Sequence, residues 1–268
     1  MLFRSFGVLA GIGGGVLFVP LASSFFPFHI DFVRGTGLFI ALGSSLAAAP
    51  HLLGKNLASI KLALPTALVA SAFAVVGAFF GLWLSALNPA YIQGSLGVTI
   101  IGIVFIMLFA KDSEHPSVAG GNYLTQMLHT GGIYQEETTG KEVSWTVHNT
   151  GKGLFCFVFV GLLAGIFGLG AGWANMPILN MVMGAPVKVA VATSGLALSV
   201  TDSTAAWIYL NKGAVLPMIT VPSLVGIMLG ARIGSKLLPK VKPAAVRYIV
   251  ISVLFLAGVR SLMKAFGY

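Results

Sequence analysis

Long apolar runs dominate this chain and restrict what it can fold into. An α-helix needs about 20 apolar residues to cross the hydrocarbon layer of a bilayer. Eight such segments are present: Leu2–Phe28, Phe32–Leu53, Ile60–Leu87, Ala90–Ala110, Leu154–Met183, Val187–Leu210, Leu216–Leu238 and Ala244–Phe266. Only 9% of the residues are charged, which is too few to cover a water-soluble domain. The sequence therefore predicts an all-α, multi-pass integral protein of the cell membrane, with the lipid bilayer as its surroundings.

The two halves of the chain repeat each other at one offset, the 157 residues that separate Gly11 from Gly168. The matched residues are Gly11, Gly13, Gly15, Pro20, Thr36, Lys55, Pro65 and Gly77 in the first half, and Gly168, Gly170, Gly172, Pro177, Thr193, Lys212, Pro222 and Gly234 in the second. This shared order predicts two homologous four-segment repeats, residues 1–110 and 153–268. Duplicated membrane halves are a recurrent plan of secondary transporters, with the substrate site between the repeats.

Residues 111–152 form a polar linker between the predicted repeats. They contain five of the seven acidic residues, so we expect the linker to lie in water. Val143, Trp145 and Val147 alternate with polar residues, and the stretch Thr138–Gly140 supplies a turn before them, a pattern that indicates a short β-hairpin. The simplest interpretation is a solvated connector with one apolar face resting on the helices.

The distribution of Lys and Arg favours inverted repeats. If each glycine-broken segment is a re-entrant hairpin, each repeat crosses the membrane three times. Five basic residues then join the side of Lys55, Lys61 and the linker: Lys188, Lys236, Lys240, Lys242 and Arg247. In this arrangement the basic residues are more unequally divided between the two sides than in an arrangement in which all eight segments cross. The positive-inside rule then predicts a cytoplasmic linker.

Glycine runs interrupt the first and fifth segments, at Gly11–Gly15 and Gly168–Gly172, and a proline follows each run five residues later. Glycine lowers helix stability, so both helices are predicted to be discontinuous. Irregular backbone at membrane depth is tolerated only inside protein or beside a wet cavity. Because the N-termini of half-helices favour anions, the two breaks are predicted to converge on one anion. The alternative is that the glycines only allow close helix packing.

Several polar residues lie near the breaks or inside the apolar segments. The candidate anion-binding residues are Gly13, Gly14, Gly15, Thr36, Gly170, Ala171, Gly172, Trp173, Asn175, Thr193 and Ser194. Asp202 lies deep in an apolar segment, and we expect it either to couple transport to protons or to form an ion pair with Arg232. Arg34 and Lys188 are expected to contact lipid headgroups.

The sequence contains no arrangement of residues that indicates an enzyme or a nucleic-acid-binding protein. No metal-ligand spacing and no catalytic set is recognisable, so neither a cofactor nor a metal is expected. The net charge of +9 is scattered between apolar segments instead of being clustered on one face, which argues against a nucleic-acid partner.

The glycine motifs resemble those of the sulfite exporter family, also called TauE/SafE. They are Gly11-Ile-Gly-Gly-Gly-Val-Leu-Phe-Val-Pro20, Gly165-Ile-Phe-Gly-Leu-Gly-Ala-Gly-Trp-Ala-Asn-Met-Pro177 and Lys188-Val-Ala-Val-Ala-Thr-Ser194. The resemblance extends over nearly all of the membrane part. It implies that the family's motif positions correspond to Gly13, Gly15, Pro20, Gly170, Gly172 and Pro177, and that Thr193 and Ser194 follow them in the chain.

The resemblance implies a secondary carrier of a small sulfur-containing anion, such as sulfite or an organosulfonate. Alternating access is the expected mechanism, and Asp202 offers a route to proton coupling. Three alternatives stay open: an anion channel, a transporter of another small anion such as a carboxylate, and a membrane-embedded scaffold or enzyme.

Overall fold

The computed structural model describes residues 15–53, 58–109, 125, 127, 130–135, 142–237 and 243–267. Their elements are α1 Gly15–Phe25, α2 Ile30–Leu53, α3 Ile60–Leu87, α4 Pro89–Phe109, β1 Gly131–Gln135, β2 Glu142–Thr146, α5 Thr150–Phe167, α6 Gly172–Pro177, a π-helical turn Ile178–Val182, α7 Val187–Asn211, α8 Pro217–Leu237 and α9 Pro243–Ala265. Apart from one hairpin, the described chain is helical, which confirms the predicted all-α class.

Two of the described helices are long and apolar enough to cross a membrane. Helix α3 has 28 residues and a mean hydropathy of 2.2, and α5 has 18 residues and a mean hydropathy of 1.9. Large apolar side chains on the outer face of α3, among them Leu68, Phe79 and Trp83, are more than half exposed. Such a face would drive association in water, whereas lipid covers it without cost.

Helices α3 and α5 approach each other closely because α5 carries glycines four residues apart. A methyl group at Gly161 would overlap the carbonyl oxygen of Ala70, and one at Gly165 would overlap that of Ala74. Small residues at this spacing allow two membrane helices to pack backbone against backbone. The packing fixes the position of α5, and with it the position of the chain where α5 ends.

The chain reverses direction after α5. Gly168 and Gly170 have φ angles of 67° and 74°, a left-handed conformation that ends the helix and that glycine adopts without strain. Helicity resumes at Gly172, and Met183 then lies beside Gly153, near the start of α5, where a methyl group on Gly153 would collide with the methionine side chain. Helix α6 and the π-helical turn therefore run back along α5. Below, residues 168–171 are called the second break.

The linker contributes a two-stranded antiparallel sheet in which Gly132 is opposite Trp145. The predicted turn Thr138–Gly140 lies outside the described residues. Trp145 and Val147 are buried in a cluster with apolar side chains of α5, α6 and the π-helical turn. The hairpin therefore packs against the end of the segment that runs back along α5.

Two pairs of helices in the two halves begin at matching positions. Helices α2 and α7 begin at Ile30 and Val187, and α3 and α8 begin at Ile60 and Pro217. Each pair is 157 residues apart, which is the offset of the sequence repeat.

Polar side chains from α4 and α9 hold the C-terminal end of α1. Lys264 Nζ donates to the carbonyl oxygen of Ser23 at 2.8 Å, and Gln93 Nε2 donates to the same oxygen at 3.0 Å. The hydroxyl of Ser24 donates to the carbonyl of Ala257 at 2.9 Å. Carbonyl groups in the last turn of a helix lack partners within it, so Lys264 and Gln93 satisfy that of Ser23, while the Ser24 hydroxyl ties α1 to α9.

Candidate functional site

Gly15 in α1 lies against the second break. A methyl group at Gly15 would lie 2.9 Å from the carbonyl oxygen of Leu169 and 2.7 Å from that of Gly37 in α2. A methyl group at Gly37 would in turn lie 2.7 Å from the carbonyl oxygen of Gly168. Gly15, a predicted site residue of the first half, therefore lies directly beside the second break. Gly13 and Gly14, the other predicted residues of the first break, lie outside the described part of the chain.

Four backbone N–H groups at and directly after the second break have no backbone acceptor. Within the described residues, those of Gly170, Ala171, Gly172 and Trp173 donate to no backbone carbonyl. The first N–H groups of a helix always lack partners within it, but water usually supplies an acceptor. At this position the backbone is buried, and Ala171 is 0% exposed. A buried N–H without an acceptor is costly, so these groups are suited to a bound group that carries acceptor oxygens.

Two side chains add further unpaired polar atoms to the start of α6. Asn175 is 0% exposed, and neither Nδ2 nor Oδ1 has a hydrogen-bond partner. The buried Nε1 of Trp173 is also without an acceptor. Most buried polar groups in proteins are paired, so this concentration within one helical turn needs an explanation in terms of a ligand or water.

Asp202 lies against the second break from α7. It is 0% exposed, and neither of its carboxyl oxygens has a hydrogen-bond partner. A methyl group at Gly170 would lie 3.0 Å from Oδ2 and 3.5 Å from Oδ1. The backbone N–H of Ala171 is the polar group that interacts with the carboxyl, although its geometry falls short of a full hydrogen bond.

The predicted partner of Asp202 is not tested by these contacts, because the side chain of Arg232 lies outside the described residues. No Lys or Arg with a described side chain forms an ion pair with Asp202. Within the described residues no group of three His, Cys, Asp or Glu side chains could hold a metal ion.

The predicted hydroxyl ligands already have partners elsewhere. Thr36 Oγ1 lies 3.1 Å from Thr220 Oγ1 in α8. Thr193 Oγ1 accepts the backbone N–H of Ser59 at 3.1 Å, and Ser194 donates to the carbonyl one turn back in its own helix. Along α7, Thr193 is about 13 Å from Asp202. Each of these hydroxyls therefore already has a hydrogen-bond partner in the protein, unlike Asn175 and Trp173 Nε1.

Arg34 is buried within the protein, so the prediction that it contacts headgroups is wrong. Its side chain is 0% exposed, and Nη1 donates to Asp31 Oδ1 at 2.7 Å. Nη2 donates to the hydroxyl of Tyr209, and the guanidinium lies over the tyrosine ring at 5.2 Å from its centroid. The acid three residues earlier in the same helix compensates the buried charge, which makes burial tolerable.

The Arg34 cluster reaches the last turn of α5, directly before the second break. The hydroxyl of Tyr209 donates to the carbonyl oxygen of Gly165 at 2.9 Å. The C-terminal end of a helix carries partial negative charge, so a guanidinium nearby is favourable. Sequence analysis missed this cluster, although the spacing of Asp31 and Arg34 on one helix face was a usable signal.

Comparisons with known proteins agree on a family. The profile described as sulfite exporter TauE/SafE matches residues 2–261. The chain is 27% identical to the probable membrane transporter protein MJ0441 of Methanocaldococcus jannaschii, over 96% of this chain and 90% of that protein. It is 24% identical to the probable membrane transporter protein YunE of Bacillus subtilis, over 94% of this chain and 90% of that protein. No solved structure matches the chain significantly.

Proposed function

Because the chain belongs to the sulfite exporter TauE/SafE family, a family of membrane transporters, we propose that it carries a small sulfur-containing anion across the cell membrane by alternating access. The proposal includes a binding site at the second break, a companion contribution from the first break, and coupling to protons through Asp202. The sulfur-containing substrate comes from the family resemblance and not from any side chain of the site.

One observation carries the anion assignment: the excess of unpaired donors at the second break. The backbone N–H groups of Gly170, Gly172 and Trp173 donate to no backbone carbonyl, and the buried Trp173 Nε1 and Asn175 Nδ2 have no acceptor. The N–H of Ala171 faces the carboxyl of Asp202. A tetrahedral or pyramidal oxyanion offers several acceptor oxygens at once and satisfies such a set. A cation or an apolar molecule would leave these donors unpaired, at a cost of about 1–3 kcal/mol each.

We assign the eight apolar segments to two inverted repeats of four segments each. Two observations support this assignment: the matching helix starts, 157 residues apart, and the reversal of the chain after α5. A reversal in one segment of each repeat gives an odd number of crossings, and an odd number inverts the second repeat relative to the first. Inverted repeats with discontinuous helices at their interface are a common transporter arrangement. They provide two related states in which one central site opens to opposite sides.

Binding of anions to the purified protein tests the proposal. A panel of sulfite, sulfate, thiosulfate, sulfoacetate, acetate and chloride is added to the detergent-solubilised protein, and the unfolding temperature is followed. We expect stabilisation by one or more sulfur oxyanions that exceeds the response to acetate and chloride. Binding at 100 times the dissociation constant would stabilise the native state by about 2.7 kcal/mol.

Two asparagines in the same re-entrant segment provide a matched pair of variants. Asn175 is buried without a partner, whereas Asn180 is buried and donates from Nδ2 to the carbonyl of Ala185 at 2.8 Å. Asn175→Ala should abolish the anion response without lowering the basal unfolding temperature, because no protein hydrogen bond is lost. Asn180→Ala should reduce the free energy of unfolding by about 1–3 kcal/mol and so lower the basal unfolding temperature. It should keep the anion response.

The pattern of responses decides between the candidates. An equal response to all anions, or the same anion response in Asn175→Ala as in the unchanged protein, would contradict a selective site at the second break. Flux in proteoliposomes separates a carrier from a channel, because a carrier saturates with substrate and supports exchange. Flux that stays proportional to anion concentration would contradict alternating access.

A further inference from the structure

We infer that the anion and a proton occupy the second break together, with the proton on Asp202, so that the protein carries both in the same direction. The inference rests on the proposed anion site and assigns its coupling. It starts from the position of the acid: Oδ2 of Asp202 is the polar atom closest to a methyl group at Gly170, at 3.0 Å. The carboxyl therefore lies at the same backbone that would bind the anion.

An ionised Asp202 and an anion exclude each other at this position. The carboxylate faces the N–H of Ala171 and so occupies part of the positive potential of the second break. A second negative charge within about 4 Å would be strongly repelled in a buried setting. No described cation forms an ion pair with Asp202 that could absorb the extra charge.

The titratable and charged groups on the elements packed against α7 do not relieve this conflict. Those with described side chains are Asp31 and Arg34 on α2, Lys61 on α3, Lys152 and Cys156 on α5, and Lys188 and Tyr209 on α7 itself; α6 and the π-helical turn carry none. Arg34 is committed to Asp31 and Tyr209. Along α7, Tyr209 is about 10 Å and Lys188 about 21 Å from Asp202.

Protonation resolves the conflict and completes the donor set. A neutral carboxyl offers an O–H donor in place of a negative charge, so it joins the backbone N–H groups, Trp173 and Asn175 as a group that binds an acceptor oxygen. The proton comes from the aqueous phase when the site is open, and no bond other than O–H forms or breaks. Without the anion, loss of that proton restores the carboxylate to the N–H of Ala171.

This arrangement predicts symport and excludes obligatory antiport of anion and proton. In an antiporter the anion would bind better to the deprotonated site, which the like charges at the second break oppose. In the inferred scheme the anion binds better to the protonated site. By reciprocity, a bound anion must also favour protonation of Asp202 by the same factor.

The pH dependence of anion affinity tests the inference directly. Sulfate and methanesulfonate are suitable probes, because both stay ionised from about pH 5 to about pH 8. Their dissociation constants are measured by calorimetry on the purified full chain, and proton uptake on binding is measured from the dependence of the heat on the buffer. We expect uptake of one proton per anion and an affinity that falls about tenfold per pH unit wherever the free site has lost its proton.

Asp202→Asn isolates the residue responsible, because the amide keeps the shape of the neutral acid and a donor. We expect this variant to bind the same probes without proton uptake and with an affinity that does not change with pH. Glu142→Gln, the same change at an acid of the linker strand β2, should keep the proton uptake. In proteoliposomes, a proton gradient should drive uphill anion movement in the unchanged protein and fail to do so in Asp202→Asn, while anion exchange persists.

The outcomes separate this inference from the function on which it rests. Anion binding without proton uptake in the unchanged protein would overturn the inference and leave the proposed site intact. Persistence of the uptake in Asp202→Asn would overturn the assignment to Asp202. Absence of binding by either probe across the whole pH range would overturn both. If Asp202→Asn does not fold, the proton uptake of the unchanged protein still decides whether anion and proton bind together.

Discussion

The replacement Gly170→Ala puts the geometry of the second break to a quantitative test. Gly170 has a φ of 74°, which costs an L-amino acid with a side chain about 1–2 kcal/mol. Its methyl group would also lie 2.9 Å from the Cβ of Ala41 and 3.0 Å from Oδ2 of Asp202. Carbon atoms in contact are normally separated by about 3.5–4.0 Å, so both neighbours would have to shift.

A second glycine with a positive φ but open surroundings separates the cost of steric crowding from the cost of the backbone conformation. Gly213 has a φ of 69° and nothing within 4 Å of an added methyl group. Gly213→Ala should therefore cost only the backbone term of about 1–2 kcal/mol. Gly170→Ala should cost a further 1–3 kcal/mol or so, which is typical of forcing a methyl group into a packed site.

Thermal unfolding of both variants in detergent measures the difference. With about 2–4 °C per kcal/mol for a chain of this size, Gly170→Ala should unfold several degrees below Gly213→Ala. It should also lose the stabilisation by a sulfur oxyanion, because the carboxyl of Asp202 is displaced towards the anion position, whereas Gly213→Ala should keep it. Equal unfolding temperatures for the two variants would refute the close packing of Asp202 and α2 against the second break.

Three further predictions concern the contacts that hold the site in place. Tyr209→Phe should lower the free energy of unfolding by about 1–3 kcal/mol, because the guanidinium of Arg34 and a carbonyl of α5 each lose a partner. A double-mutant cycle with Arg34→Met, measured by chemical unfolding, should give a coupling of at least about 0.5 kcal/mol, and additive losses would contradict the network. Gly165→Ala should force α3 and α5 apart and lower the unfolding temperature. Gly102→Ala, with no atom within 4 Å of its methyl group, should raise the free energy of unfolding by up to about 1 kcal/mol, and the reverse order of stability would contradict the observed packing. Lys264→Met should remove the hydrogen bond to the end of α1 and cost about 1.5–3 kcal/mol, and protease cleavage near that end should become faster; unchanged cleavage would show that the contact does not anchor α1.

The sequence by itself predicted the helices well because apolar length is a local property. The segment Ile60–Leu87 was predicted with the bounds that α3 has, and the other described helices begin or end within a few residues of the predicted runs. The position of the second break was also local information, since the positive φ angles of Gly168 and Gly170 require the residue type found there. Asn175 could be selected from sequence because an asparagine is an unusual neighbour of a glycine run, whereas its burial is a finding of the structure.

Tertiary structure alone decided which of these polar groups meet. Hydropathy measures how well a segment inserts into lipid, and it says little about which face of a helix contacts which neighbour. The burial of Arg34, the pairing of Thr36 with Thr220, and the placement of Asp202 at Gly170 all depend on contacts between residues far apart in the chain. Such contacts are set by the shape of packed small residues and by the need to pair buried polar groups, and both of these are properties of the assembled helices.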